Sequence, residues 1–125
     1  MLALLLLQAA ASPVPTDWSA LAPLPYTTAP QMTPPLARFV ADEIAAGRCA
    51  MPKPADGHYL VKVDVATLVA SDGAVRRAVP RAINCPTVEQ YSVGLVLKFA
   101  RANLQLRAGT PDIWYRTTIV FDWTG

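Results

Sequence analysis

Eleven consecutive residues, Tyr59 to Val69, alternate with a period of two, and this run restricts the fold more than any other feature of the chain. Tyr59, Val61, Val63, Val65, Thr67 and Val69 fall on one face of an extended strand. Leu60, Lys62, Asp64, Ala66 and Leu68 fall on the other. The first face is apolar and must be buried. The second is mixed. Ser71-Asp72-Gly73 follows directly and reads as a hairpin, because Asp initiates turns and Gly tolerates positive φ. A second strand, Ala74 to Val79, returns from it with Val75 and Val79 on one face and Arg77 between them. Pro80 ends the pairing or marks an edge.

Helical periodicity flanks this hairpin. Upstream, Thr33 suits an N-cap and Pro34 the first helical position. Leu36, Phe39, Val40 and Ile44 form an apolar stripe, Asp42 and Glu43 take the wet side, and Gly47 supplies a stop. Downstream, the spacing predicts a helix from about Pro86 to Leu104, with Thr87 and Gln90 as an alternative capping pair. Its apolar surface is wide, carried by Val88, Tyr91, Leu95 and Phe99 and extended by Val93, Val96, Leu97 and Ala100. A helix this apolar lies deep against a sheet. A last strand, Trp114 to Trp123, alternates again. The order helix, strand, strand, helix, strand implies an α+β fold. A right-handed crossover places the third strand beside the first, giving an antiparallel sheet of order 2-1-3 with both helices on one face.

Composition narrows the setting. A length of 125 residues suits one domain, and a hydrophobic share of 53% excludes a wholly disordered chain. Lys and Arg number 11 against 9 Asp and Glu, with no dense basic run, so no nucleic-acid partner is expected. Seven of the 12 prolines lie between Pro13 and Pro35, which makes 12–33 an extended approach rather than a helix or interior strand. Trp18, Leu21, Leu24 and Tyr26 interrupt it, either to dock back on the domain or to meet a partner. Residues 2–10 form an apolar segment ending in small residues, with Ala9-Ala10-Ala11 before Ser12. This is too short to span a bilayer, which takes about 20 residues, and has the form of a secretory signal peptide, 1–11. An exported chain with two cysteines is expected to join Cys49 to Cys85, the alternative being two buried thiols.

Chemistry-bearing patterns are sparse. Two cysteines and the lone His58 do not make a four-ligand metal set. Asp64 lies within a strand and Asp72 in a turn, and Ser71 has no nearby His. No phosphate loop or nucleophile elbow is present. No enzyme activity, metal or cofactor is expected. Trp114, Tyr115 and Trp123 suit either a small core or an interface.

Val61-Lys-Val-Asp-Val65, then Asp72-Gly73-Ala-Val75, the long apolar helix, and Trp114-Tyr-Arg116 through Phe121-Asp-Trp123 come in a particular order and spacing. In that order the span of about 34–124 resembles the TonB C-terminal domain family, which sets the domain at 34–125. The resemblance implies a periplasmic interaction module without chemistry of its own. Its mechanism would be β-augmentation, in which a partner strand, such as the short N-terminal segment of an outer-membrane receptor, adds to an open sheet edge. The final strand is the expected docking edge: Tyr115, Arg116, Thr117, Thr118, Ile119, Val120 and Phe121, with Arg116 supplying charge complementarity. Edge pairing between two copies is a further expectation. The other expectation is a stand-alone structural or regulatory envelope protein that keeps the fold without transport.

Overall fold

A computed structural model describes residues 12–125, so the expected signal peptide lies outside the described residues. The elements are α1 (Pro34–Ala45), β1 (His58–Val69), β2 (Val75–Pro80), α2 (Pro86–Ala100) and β3 (Ile113–Thr124). The sheet is antiparallel with order β2-β1-β3, so the α+β architecture and strand order expected from the sequence are observed. The valine-rich strand is central. It pairs with β3 along its whole length, from His58 opposite Thr124 to Val69 opposite Ile113. It pairs with β2 only from Val65 opposite Pro80 to Val69 opposite Val75.

The helix-covered front face carries the core. Val61, Val63, Val65 and Val69 of β1 pack with Tyr115, Ile119 and Phe121 of β3 beneath Val40 of α1 and Val88, Leu95 and Val96 of α2. Each such side chain, fully buried, contributes roughly 1.5–3 kcal/mol over its exposed state. Stacked rings cross the layers: Phe39 on Tyr91 at 4.1 Å joins the two helices, and Tyr91 lies 6.0 Å from Phe121. Helix α1 packs chiefly on β3, and α2 on β2 and β1.

Four local expectations change. Val75 and Val79 do not share a face. Leu68 opposes Arg77 but Val69 opposes Val75, so Arg76 is the extra residue of a bulge and the alternation shifts there. Helix α2 ends at Ala100 rather than Leu104, because Arg101 is extended and Ala102 takes φ +51°, which turns Leu104 back into the core. Thr87 does not cap α2. Glu89 does so instead, accepting from the backbone N–H of Ile83 (2.8 Å) and Cys85 (3.2 Å). Glu43 is not on the wet side. It is buried, its carboxylate held by the Arg48 guanidinium (2.9 and 3.0 Å) and the Thr87 hydroxyl (2.6 Å). Those hydrogen bonds, Arg48 first, hold its pKa below the ordinary 4.5.

Cys49 and Cys85 form a disulfide with a Cα–Cα distance of 4.8 Å. It fastens the loop after α1 to the N-cap of α2. Gly73, at φ +87° in the β1–β2 turn, takes a backbone conformation that residues with a side chain rarely adopt. Asp72 closes the same turn by accepting from the Ala74 N–H.

Candidate functional site

The proline-rich approach docks on the domain, and the place where it docks defines the site. It begins on the back of the sheet, where the Trp18 ring lies 4.3 Å beneath the Arg81 guanidinium. It then crosses the outer edge of β3. Leu24 N–H donates to the Arg116 carbonyl (3.0 Å), and Arg116 N–H donates to the Ala22 carbonyl (2.9 Å), which makes a single parallel bridge at Pro23. Leu24 enters the front core, and Tyr26 bridges Leu104 beyond α2. Asn103 ties this end down, accepting from Thr28 N–H and donating to the Thr28 carbonyl. Burial raises the Tyr26 pKa above the ordinary 10.0. The segment is therefore a strap over one edge. Along β3 the pairing stops at that bridge because the Tyr26 N–H donates back to the Leu24 carbonyl (2.9 Å), taking the groups that would continue the ladder, while Pro23 and Pro25 leave the strap's outer side without N–H donors.

The strap also reveals the parity of β3. In a strand, one residue directs both its backbone N–H and C=O to one side, and the next directs both to the other. Arg116 points both outward. Thr118, Val120 and Asp122 therefore do the same, because the β1–β3 register runs without a shift. On the other side, the bond from Arg81 N–H to the Asp64 carbonyl (2.8 Å) shows that even-numbered residues of β1 face β2. Odd-numbered residues thus carry the β1–β3 ladder. Among the described residues, no backbone partner meets the outward groups of Thr118, Val120 or Asp122.

The seven residues expected at the docking edge accordingly divide. Tyr115, Ile119 and Phe121 are buried in the front core and Thr117 is half-buried, and their main chains serve β1. Arg116 is outward but already occupied by the strap. Thr118 and Val120 are outward and open. Asp122, just past the expected range, extends the open stretch. A groove of about 330 Å³ lies alongside, with Met32, Thr33, Pro34 and Ala37 on one wall and Val120, Asp122 and Trp123 on the other. The sequence signals a helix start at Thr33-Pro34, but nothing in it shows that this start overhangs β3. Tyr59 stacks on Trp123 at 4.9 Å as its cross-strand neighbour and stiffens the floor.

The opposite edge is less available. β2 has only six residues, ends in Pro80 and carries the Arg76 bulge, three devices that blunt an edge. A second gap lies on β1 itself, where Leu60 and Lys62 have no β2 residue opposite them. It is short, and Met51, Pro52 and Pro54 flank it.

His58 pairs with Asp122 across the β1–β3 end. The hydrogen bond that the imidazole donates to the Asp122 carboxylate, and then the charge of that carboxylate, raise the His58 pKa above the ordinary 6.5. A raised histidine stabilises the fold below its unfolded pKa, and the effect is lost as pH rises through the folded value. The expected outcome is that His58→Gln lowers thermal stability at pH 5.5 and leaves it unchanged at pH 9, read from paired melting curves.

Among the described residues, no group of three or more His, Cys, Asp or Glu could hold a metal ion, and no helix is long and apolar enough to cross a membrane. Comparisons with protein-family models, curated proteins and solved structures find no match to this chain.

Proposed function

We propose that the protein is a periplasmic interaction module, similar to the TonB C-terminal domain, that captures an extended partner segment on the open half of β3. One observation carries this reading: at three consecutive outward positions, Thr118, Val120 and Asp122, the main-chain groups have no backbone partner among the described residues and lie beside an apolar groove. Main-chain bonds supply affinity in β-augmentation, and pockets for alternate side chains supply selectivity. The groove under the start of α1 is such a pocket. The disulfide suits an oxidising compartment, which supports export. The partner in this reading is the N-terminal segment of an outer-membrane receptor, bound without metal or cofactor.

The test is titration of isotope-labelled protein with a synthetic peptide of that kind. The expected result is large amide shifts at Thr118, Val120 and Asp122, smaller ones at Ile119 and Phe121, and shifts at Ala37 across the groove. Shifts confined to α2 would overturn the reading. Self-association without peptide, mapped to the same residues, would assign the edge to a second copy instead.

A further inference from the structure

The back face of the sheet carries a charge pattern that strand capture at β3 does not use. Register places Arg77 and Arg81 of the β2 side, Lys62 of β1 and Arg116 of β3 on this face. Among the described residues, none of these four side chains forms an ion pair or a hydrogen bond. The face holds two aspartates on the strands, and both are engaged elsewhere. Asp64, although it is the cross-strand neighbour of Arg81, accepts from the Thr118 hydroxyl, and Asp122 pairs with His58. The chain as a whole carries a net charge of only +2, so four free cations on one sheet face are a local concentration.

Two of the four are held in place. The Arg81 guanidinium lies 4.3 Å from the centre of Trp18, and the Arg77 guanidinium 5.7 Å from that of Trp114. Stacking on an aromatic ring leaves the N–H edges of a guanidinium free, and those edges match a carboxylate in two-pronged fashion. A guanidinium already immobilised loses less freedom on binding. Residues 77 and 81 are four apart on extended backbone, roughly 13 Å. That is also the spacing of same-face side chains at positions i and i+4 of an extended peptide.

We propose that this face docks an acidic, extended polypeptide segment whose carboxylates, four residues apart, pair with Arg77 and Arg81, with Arg116 and Lys62 adding long-range attraction. Discrete carboxylates in register avoid Asp64 and Asp122. A continuous anionic plane, such as a lipid surface, would face those aspartates together with the cations. The surface is independent of the β3 edge, since it is built from side chains rather than unpaired main chain.

The probe is a capped synthetic peptide with Glu at positions 1 and 5 of a Thr- and Val-rich run, titrated into the whole chain at low salt. Expected are amide shifts at Arg77, Val79 and Arg81 and a change in Trp18 and Trp114 fluorescence. Replacing both Glu by Gln in the peptide should weaken binding at least about fivefold, the scale of two exposed ion pairs. The double variant R77Q/R81Q should do the same, while R38Q/R101Q, on α1 and just past the end of α2, should not. Equal binding of the Glu and Gln peptides would overturn the proposal whether or not R77Q/R81Q folds. So would equal loss in R38Q/R101Q, or binding to phosphatidylglycerol vesicles with none to the peptide.

Discussion

Replacing Val120 by proline is expected to abolish strand capture while leaving the domain folded, whereas replacing its neighbour Ile119 is expected to unfold it. The contrast follows from parity alone. The N–H of Val120 points to the open edge and joins no ladder, so a proline there removes one donor offered to a partner and none used by the fold. Proline is tolerated at such edge positions, at an expected cost of about 1 kcal/mol. Ile119 is 4% exposed, and its N–H faces Val63. Proline there breaks the β1–β3 ladder and empties part of the core, on the order of 3–5 kcal/mol, which rivals the whole stability of a small domain. Peptide titration followed by amide shifts reads the first effect, and denaturant unfolding reads the second. A V120P protein that binds as tightly as its parent would show that the partner does not use this edge.

Removing the disulfide is the second large effect. Cys49 and Cys85 are 36 residues apart and link the loop after α1 to the start of α2. In the chain-entropy account, opening a loop of that size costs about 4 kcal/mol through the freedom returned to the unfolded chain. Both cysteines are buried, so replacement by alanine adds a small cavity term. C49A/C85A should therefore unfold at much lower denaturant than the parent. The parent treated with a thiol reductant should approach the variant's midpoint. Unchanged midpoints in both cases would mean that Glu43, with Arg48 and Thr87, fixes this corner without the bond.

How much of this could be read from the chain depends on which interactions decide each feature. The period-two run at Tyr59–Val69 and the wide apolar surface of α2 are repeated local signals, and a repeated signal fixes element type and, through crossover handedness, strand order. The bulge at Arg76 is different. Val75, Arg77 and Val79 have the same parity on paper, and only pairing against Leu68 and Val69 shows that one residue is extra. Glu43 sits at a helix position that reads as solvent-facing. Its burial comes from Arg48 and Thr87, the second contributed by a helix 44 residues away in sequence. The end of α2 departs from its apolar spacing for a related reason. Apolar spacing continues to Leu104, but Asn103 and Leu104 are claimed by the strap. The docking edge was legible as a strand but not as a set of alternately free and occupied residues, because that depends on where Ala22–Leu24 lands.

The strap bears on more than recognition. A bare strand edge as long as β3 is a template for indiscriminate stacking of identical chains, the first step toward fibrils. Here that template is interrupted at Arg116 by the molecule's own backbone, and the prolines on either side of Leu24 cannot themselves seed a further ladder. What stays uncovered is brief and overhung by a helix start. The same few residues thus let the protein keep a sticky border in a crowded compartment while rationing how much of it any neighbour can reach.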